Sequence, residues 1–266
     1  MKRKQLLESE DISITFGGLK AVNGFSCTVH SGELVGLIGP NGAGKTTVFN
    51  MLSGIYPPTS GEIRVLNRQG KVQRTAHLAP AELNRIGVSR TFQNIRLFGN
   101  LTVEDNVRIA LHSSRNENPF EVLFRLPRFF EDEQRMIHKT HELLELFALA
   151  AKKYELARNL PYGEQRKLEI ARALAAEPIL LLLDEPAAGM NPQETDSLMK
   201  LISLIRERFK LTILLIEHDM RFVMGICERI IVLDYGKIIA EGTPHEIRSN
   251  PAVIKAYLGT EGVNHA

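Results

Sequence analysis

From residue 39 the chain reads Gly39-Pro40-Asn41-Gly42-Ala43-Gly44-Lys45-Thr46-Thr47, directly after the apolar run Leu34–Ile38. A buried strand followed by G-x-x-x-x-G-K-[ST] is typical of a loop that binds phosphate groups. The glycines let backbone N–H groups face phosphate oxygens, and the helix expected from Lys45 to Leu52 adds the positive end of its dipole. The segment predicts binding of a nucleoside triphosphate. A glycine-rich turn that binds nothing is the alternative.

Within this loop, which we call the phosphate loop (residues 39–47), two side chains have predicted roles. Lys45 is expected to bridge the terminal phosphates, and the Thr46 hydroxyl is expected to hold Mg²⁺.

Composition favours one α/β protein: 266 residues with 44% hydrophobic content can bury a sizeable core. The net charge of +2 neither favours nor excludes a nucleic-acid surface, and no nucleic-acid partner is expected. Apolar runs such as 179–183 are far shorter than the roughly 18 residues that suggest a membrane span, so a membrane role is expected to go through a partner. Cys27 and Cys227 lie far apart in apolar patterns, which favours buried thiols. No metal beyond Mg²⁺ is implied.

Along the chain, strand patterns give way to helices and then to an alternation of both. Residues 11–16 and 25–29 alternate as half-buried antiparallel strands do, whereas residues 95–159 follow a helical period that indicates a separate lobe. After Gly163, alternating strands and helices predict a mainly parallel sheet with ligands at its carboxyl edge. Strands are expected at 179–183 and 212–216, helices at 164–176, 193–209 and 220–227, and a final strand pair turning at Tyr235-Gly236.

A second chemical site, Asp184-Glu185, follows the apolar run at 180–183. Asp184 is expected to emerge beside the phosphate loop, where it can hold a water on Mg²⁺. Glu185 can accept a proton from the water that attacks the terminal phosphate. An acidic pair before a proline is often only a helix cap, but the phosphate loop upstream favours catalysis.

His218 forms a third candidate, since it follows the predicted strand at 212–216. A lone histidine at a strand end is more often structural than catalytic. Its place at the ligand-binding edge favours a polar sensor of the terminal phosphate.

These segments in this order resemble the ATP-binding subunit of ABC transporters, over nearly the whole chain. The resemblance implies an α/β P-loop fold with a mainly parallel sheet, an N-terminal antiparallel β subdomain and an inserted helical lobe. It implies a single ATPase domain over residues 1–266, with its core at 1–94 and 164–266 and its helical signature lobe at about 95–163. ATP and Mg²⁺ are the implied cofactors.

Further site residues come from the same resemblance. Phe16 stands where the family stacks a ring on adenine, and Val22 where an aliphatic residue supports it; a core ring is the alternative for Phe16. Gln93 matches the glutamine that ligates Mg²⁺ and senses the membrane subunit, whereas an ordinary surface glutamine is the alternative. The implied Mg²⁺ ligands are Thr46, Gln93 and Asp184, and the implied catalytic residues are Lys45, Glu185 and His218.

The signature segment departs from the family pattern Leu-Ser-Gly-Gly-Gln, because this chain has Leu160-Pro161-Tyr162-Gly163-Glu164. Pro161 removes the serine hydroxyl that would touch phosphate. The helix N-terminus at Tyr162, Gly163 and Glu164 can still receive the phosphate of ATP bound on the opposite subunit. Ala188-Gly189-Met190-Asn191 likewise replaces Ser-Ala-Leu-Asp, so the family's usual dimer-seam hydrogen bonds are not implied.

These departures from the family pattern point to one subgroup of the family. Leu-Pro-Tyr-Gly at 160–163, Arg-Thr-Phe-Gln at 90–93, Glu-His-Asp-Met at 217–220 and the ending at 250–259 look like the LivG-type ATPase of branched-chain amino-acid importers, as does the middle segment at 111–130. Related importers of other amino acids or urea remain open.

The resemblance also implies partners and a location. They are a second ATPase subunit, identical or related, two transmembrane permease subunits and an extracytoplasmic solute-binding protein, with the chain peripheral on the cytoplasmic face of the inner membrane. Residues 95–98 either meet the permease or belong to the core of the middle lobe.

Other functional classes are weighed against this assignment. A GTPase would need Asn-Lys-x-Asp, which is lacking, and a repair or translation ATPase would carry a coiled coil or second cassette. A cytosolic assembly ATPase remains the harder alternative, because only the subgroup resemblance speaks against it.

Overall fold

The computed structural model describes residues 3–113 and 127–258. Of the middle segment that resembles the LivG type, residues 114–126 lie outside the described residues, as do Gly259 and the residues after it. The described residues form ten strands: β1 (Gln5–Phe16), β2 (Leu19–His30), β3 (Leu34–Ile38), β4 (Ser60–Leu66), β5 (Val72–Arg74), β6 (Val88–Arg90), β7 (Leu180–Asp184), β8 (Thr212–Ile216), β9 (Arg229–Asp234) and β10 (Lys237–Gly242).

The helices of the same residues are α1 (Lys45–Leu52), α2 (Pro80–Ile86), α3 (Val103–Ser113), α4 (Pro127–Leu146), α5 (Tyr162–Ala175), α6 (Pro192–Phe209), α7 (Met220–Ile226), α8 (Pro244–Arg248) and α9 (Pro251–Leu258). Across these described stretches, every helix is too short or too polar to cross a lipid bilayer.

A six-stranded sheet runs in the order β10-β9-β3-β8-β7-β6 and is parallel except for β10. Every residue of β3, β7 and β8 is buried, as expected for strands covered on both faces. The predicted mainly parallel sheet is thus confirmed. Because parallel strands end at the same edge, the ends of β3, β7 and β8 lie side by side.

A four-stranded antiparallel sheet has the order β2-β1-β4-β5. In sequence, β1 and β2 precede the phosphate loop, and β4 and β5 follow it. Its first two strands are longer than the alternation at 11–16 and 25–29 predicts, and they join at Gly17-Gly18 with φ of +50° and +89°. Register shifts along the pair, with Asp11 at φ +52°, break the alternation. Bulges therefore conceal the full strand length from a period-2 pattern.

One apolar core joins the two sheets and α1. It contains residues of both sheets and of the helix that follows the phosphate loop, among them Ile12, Phe25, Leu37, Phe49 and Leu182. At about 25 cal/mol per Å² of buried apolar area, this core supplies the main stabilisation that fixes α1 against the sheet.

Contacts divide the chain into two compact units. The first comprises the described parts of Met1–Gln93 and Ile179–Ala266, and holds both sheets. The second, within Asn94–Pro178, contains α3, α4 and α5, with Val107, Leu144 and Leu168 fully buried. Within the stretch 95–159 that has a helical period, α4 ends at Leu146 and Ala148 adopts φ +56°.

Both cysteines are buried free thiols, as predicted from their apolar surroundings. Burial raises the pKa of Cys27 to about 11, and burial likewise raises the pKa of Cys227 far above its ordinary value. Neither thiol lines the cavity described below.

Candidate active site

The phosphate loop connects the end of β3 to the start of α1. Gly39, Gly42 and Gly44 have φ of +152°, +80° and +100°, a region that side chains disfavour. A Cβ on Gly39 would lie 2.0 Å from the Leu233 carbonyl oxygen, and one on Gly44 would lie 2.7 Å from the Ala21 carbonyl oxygen. Glycine is therefore required at both positions for steric as well as conformational reasons.

Lys45 begins α1 and folds back across the phosphate loop. Its Nζ donates to the carbonyl oxygens of Gly39 at 2.7 Å and Pro40 at 2.8 Å. Burial lowers the pKa of Lys45 below its ordinary value, an effect that the Glu185 carboxylate partly offsets. An anion placed at this loop would favour the charged ammonium in the same way.

A cavity of about 750 Å³ opens on the outer surface of the loop. It brings together the phosphate loop, the strand-edge residues and the β1–β2 hairpin. Its lining residues are Leu19, Lys20, Ala21, Asn41, Gly42, Gly44, Lys45, Thr46, Thr47, Gln93, Glu185, His218 and Tyr235. Nine of these belong to the predicted site: Asn41, Gly42, Gly44, Lys45, Thr46, Thr47, Gln93, Glu185 and His218.

Glu185 lies at the centre of a polar cluster in the cavity wall. One carboxylate oxygen, Oε1, is 2.8 Å from Nε2 of His218, and Oε2 accepts a hydrogen bond from Nε2 of Gln93 at 2.9 Å. The backbone of Glu185 has φ +47°, and its N–H donates to the Ile216 carbonyl at 3.0 Å. Such left-handed geometry costs of order 1–3 kcal/mol and recurs at functional sites.

Asp184 ends β7 behind the cavity wall, with 3% of its side chain exposed. Its Oδ2 accepts a hydrogen bond from Nη2 of Arg90 at 2.6 Å. Its Oδ1 is buried, and no donor among the described residues bonds to it. A buried carboxylate oxygen without a donor is costly, and it suits a hard cation or a water held on one. The residues therefore fit Mg²⁺. Within residues 3–113 and 127–258, no group of three or more His, Cys, Asp and Glu residues could hold a metal ion, so a Mg²⁺ site here needs other oxygen ligands as well.

The two residues predicted to contact adenine lie outside the cavity lining. Phe16 is 44% exposed and meets the Tyr56 ring edge-on, with 5.5 Å between ring centroids. Val22 is fully buried next to Gly44. The exposed side chains of Leu19, at the start of β2, and Tyr235, at the predicted turn between β9 and β10, line the cavity instead.

Glu217 is a residue that the sequence analysis did not assign. Its side chain is buried; Oε1 accepts from the Ala187 N–H at 2.7 Å, and Oε2 accepts from the His218 N–H at 3.1 Å. Burial raises the pKa of Glu217, against the effect of these backbone donors. One carboxylate thus ties the turn after Glu185 to the histidine that contacts Glu185. Its place next to His218 is the only sequence signal for it.

The signature segment lies in the second unit. Tyr162 and Gly163 open α5, and the N-cap residue Pro161 makes no side-chain cap. The Glu164 carboxylate accepts two hydrogen bonds from Nζ of Lys152, at 2.9 and 2.7 Å. The Glu164 N–H donates to the Pro161 carbonyl at 3.0 Å, whereas the N–H groups of the first two helical residues, Tyr162 and Gly163, can serve an anion.

Comparison with known proteins bears on the identity of this site. The ABC transporter family model matches residues 22–188, and a model described as the branched-chain amino acid ATP-binding cassette transporter matches residues 237–263. The transport ATP-binding protein BraF of Pseudomonas aeruginosa, described as a high-affinity branched-chain amino acid transport protein, is 46% identical over 256 residues, covering 96% of this chain and 98% of BraF.

Two further proteins agree with these matches. LivG of Escherichia coli, with the same description, is 46% identical over 254 residues, covering 96% of this chain and 98% of LivG. The crystal structure of MJ1267, an ATP-binding cassette of an ABC transporter in its ADP conformation, superposes with a TM-score of 0.82 at 30% identity, covering 96% of this chain and 99% of MJ1267. The fold class and the resemblance predicted from the sequence are confirmed, and the chain belongs to the ABC transporter family as an ATP-binding subunit of the branched-chain amino-acid transport type.

Proposed function

We propose that this protein hydrolyses ATP to drive the import of branched-chain amino acids through a membrane complex. The observation that carries the proposal is the cluster of Gln93, Glu185 and His218 in the same cavity wall as Lys45 and Thr46. Contacts at both carboxylate oxygens orient Glu185. A group that accepts a proton from a positioned water must be oriented in this way.

In this proposal, the backbone N–H groups of the phosphate loop and the Lys45 ammonium bind the phosphates. Thr46, Gln93 and Asp184 would hold Mg²⁺, which when bound neutralises charge on the phosphate oxygens. Phe16 and Val22 are assigned to the adenine side, Phe16 through its exposed ring and Val22 as the buried residue next to Gly44.

The hydrolytic step requires one water and one base. Glu185 takes a proton from the water as the water oxygen bonds to the terminal phosphorus, and the bond to the bridging oxygen breaks to give ADP and phosphate. His218 holds the Glu185 carboxylate and contacts the terminal phosphate. The contact of Glu185 with two separate side chains supports this division of roles.

The two units are proposed to act as one ATPase domain that functions as a dimer, with an identical or related second ATPase. Each ATP would then meet Tyr162, Gly163 and Glu164 of the partner subunit, whose helix N-terminus supplies N–H donors. We place the dimer beneath two permease subunits, peripheral on the cytoplasmic face of the inner membrane and served by a solute-binding protein.

Branched-chain amino acids are the proposed solute on two grounds. BraF and LivG carry that description and match 96% of this chain. The C-terminal match at residues 237–263 is specific to the same transport type. In this proposal the solute does not bind to the ATPase subunit.

The solute assignment predicts a transport defect. Cells that carry Glu185→Gln are expected to lose most uptake of labelled leucine, isoleucine and valine at low external concentration, because binding without turnover cannot drive repeated cycles. Uptake is measured against cells with the wild-type chain and cells with Glu246→Gln, an exposed carboxylate-to-amide change at the α8 cap.

Equal uptake of the three amino acids in all these cells would reject the branched-chain assignment. A deficit confined to another amino acid or urea would keep the transporter and change its solute. A chain that co-purifies with cytosolic proteins and no membrane partner would favour an assembly ATPase.

The split site gives a second prediction. Gly163 lies in the first turn of α5, and the N-terminus of this helix is proposed to receive an ATP phosphate. Gly163→Asp would therefore place a carboxylate beside that phosphate. We expect ATP binding by the isolated subunit to stay within about twofold, and ATP-driven association with the second ATPase subunit to be abolished. Light scattering with and without ATP measures that association.

Gly163→Asn serves as the matched control, because it adds nearly the same volume without the charge. Asparagine is expected to weaken association less than aspartate does. Normal ATP-driven association of the aspartate variant would contradict the split site.

A further inference from the structure

Arg90, the last residue of β6, is a buried arginine that connects three elements of the first unit. Its Nη2 donates to Asp184 Oδ2 at 2.6 Å, and its Nη1 donates to Asn50 Oδ1 at 2.8 Å and to Ser53 Oγ at 2.7 Å. Only 7% of its side chain is exposed. One guanidinium group thus fastens β6, α1 and the end of β7 to one another.

Aromatic rings enclose this guanidinium group. Its central carbon lies 5.7 Å from the centroid of the Phe49 ring and 5.3 Å from that of the Phe92 ring. Both distances are within the range of cation–π attraction, which adds to the ion pair in holding the guanidinium group. A planar fork with two directed N–H groups fits this space, whereas the compact ammonium of lysine would not reproduce its geometry.

Two elements held by Arg90 carry proposed magnesium ligands, and the third, β6, leads directly to one. Thr46 lies in the first turn of α1, Asp184 ends β7, and Gln93 follows Arg90 by three residues. Arg90 lies within residues 22–188, which the family model matches, but neither this match nor the sequence pattern assigns a role to it. Its contacts are what single it out.

The pair with Arg90 also determines which oxygen of Asp184 is available. Oδ2 is occupied by the arginine, while Oδ1 is buried and meets no hydrogen-bond donor among the described residues. A buried ion pair is tolerated only when geometry is good, and an unsatisfied carboxylate oxygen adds to its cost. The arrangement is unfavourable as a purely structural pair and becomes favourable when a cation or its water takes up Oδ1.

We propose that Arg90 is a positioning residue for magnesium: it fixes Asp184 in one orientation with Oδ1 left for the cation, and aligns the elements that bear Thr46 and Gln93. The inference rests on the proposed function, since it assumes that Asp184 serves Mg²⁺ bound with ATP. Arg90 itself touches neither metal nor nucleotide.

The test measures how much a divalent cation strengthens nucleotide binding. The affinity of the full-length chain for a non-hydrolysable ATP analogue is determined with Mn²⁺ and with EDTA, and the ratio of the two affinities is compared among variants. Arg90→Met is expected to reduce this ratio about 10- to 100-fold, the effect of losing a hydrogen bond to a charged group, with the EDTA affinity changed by less than about twofold.

Arg229→Met is the matched control for loss of an arginine–carboxylate pair. Arg229 donates to both oxygens of Glu33, at 2.7 and 2.9 Å. It is the first residue of β9, at the amino end of a strand in the same sheet, whereas Arg90 lies at the carboxyl end of β6. Arg229→Met is expected to lower stability toward urea and to leave the metal ratio at the wild-type value. Arg90→Lys keeps the charge and serves as the variant that folds if the methionine variant does not, with a metal ratio reduced about 3- to 10-fold.

Asp184→Asn separates failure of this inference from failure of the metal assignment. A wild-type ratio in that variant would remove Asp184 from the metal site and overturn both. A reduced ratio for Asp184→Asn with a wild-type ratio for Arg90→Lys and for folded Arg90→Met would overturn the positioning role alone. Equal losses in Arg229→Met and Arg90→Met would also overturn it, because the effect would then reflect general destabilisation.

Discussion

Glu185→Gln is expected to slow ATP turnover roughly 10²- to 10⁴-fold while ATP still binds, which is the range attributed to a positioned general base. The amide has nearly the same shape as the carboxylate. Its oxygen can accept from Gln93 while its NH₂ group donates to Nε2 of His218 in the tautomer that accepts there, so the cavity should persist. What it lacks is a site that takes up the proton of the attacking water. ATP bound without hydrolysis should therefore accumulate in a closed dimer.

Single-turnover hydrolysis of labelled ATP measures the rate, and light scattering in ATP detects the trapped dimer. Glu246→Gln is the control, since it makes the same chemical change at an exposed helix cap in the same unit. Turnover near the wild-type rate in Glu185→Gln would remove Glu185 from the proposed mechanism.

Lys45→Ala is expected to weaken ATP binding itself, by about 10- to 100-fold, because it deletes a charged donor that is proposed to face the phosphates. Lys45 is 5% exposed and its ammonium is held across the loop by two carbonyl oxygens, so the substitution removes a positioned charge rather than a mobile surface charge. Titration with a fluorescent ATP analogue measures the loss.

Lys20→Ala provides the comparison that isolates contact from general electrostatics. Lys20 lines the same cavity from the exposed start of β2. Its removal therefore deletes an equal charge, but from a side chain that is exposed to solvent. A loss of less than about threefold is expected there, in line with exposed charges. Equal effects of the two substitutions, or unchanged affinity in Lys45→Ala, would show that Lys45 is not the phosphate lysine.

The sequence predicts those parts of the fold and the site that follow from local pattern and strand topology. Predominantly apolar runs identify β7 and β8, and parallel pairing brings Glu185 and His218 to one edge without knowledge of the coordinates. The same logic places the phosphate loop there, because β3 pairs with β8.

Pairing between distant side chains is what the pattern does not reveal. Arg90 stands within the Arg-Thr-Phe-Gln motif, but nothing in its spacing indicates that its partner is Asp184 rather than a nearer acid. Glu217 is likewise a buried acid whose partners are backbone N–H groups. Long-range contacts of this kind depend on the packed geometry, which is set by many residues at once.

Strand length in the antiparallel sheet was underestimated for a related reason. Glu8 and Glu10 make cross-strand ion pairs with the half-buried Arg64, so these acidic and basic residues stabilise strands that composition alone would assign to loops.

Burial of Cys27 and Cys227 has a practical consequence for following the motion of this protein. With both native thiols inaccessible and their pKa values raised, few thiolates are present at neutral pH to react with maleimide dyes. Val72→Cys in the first unit and Tyr154→Cys in the second would add reactive thiols at positions that are 68% and 75% exposed. A donor and acceptor dye on this pair can report the distance between the two units through a nucleotide cycle, with the native cysteines left in place.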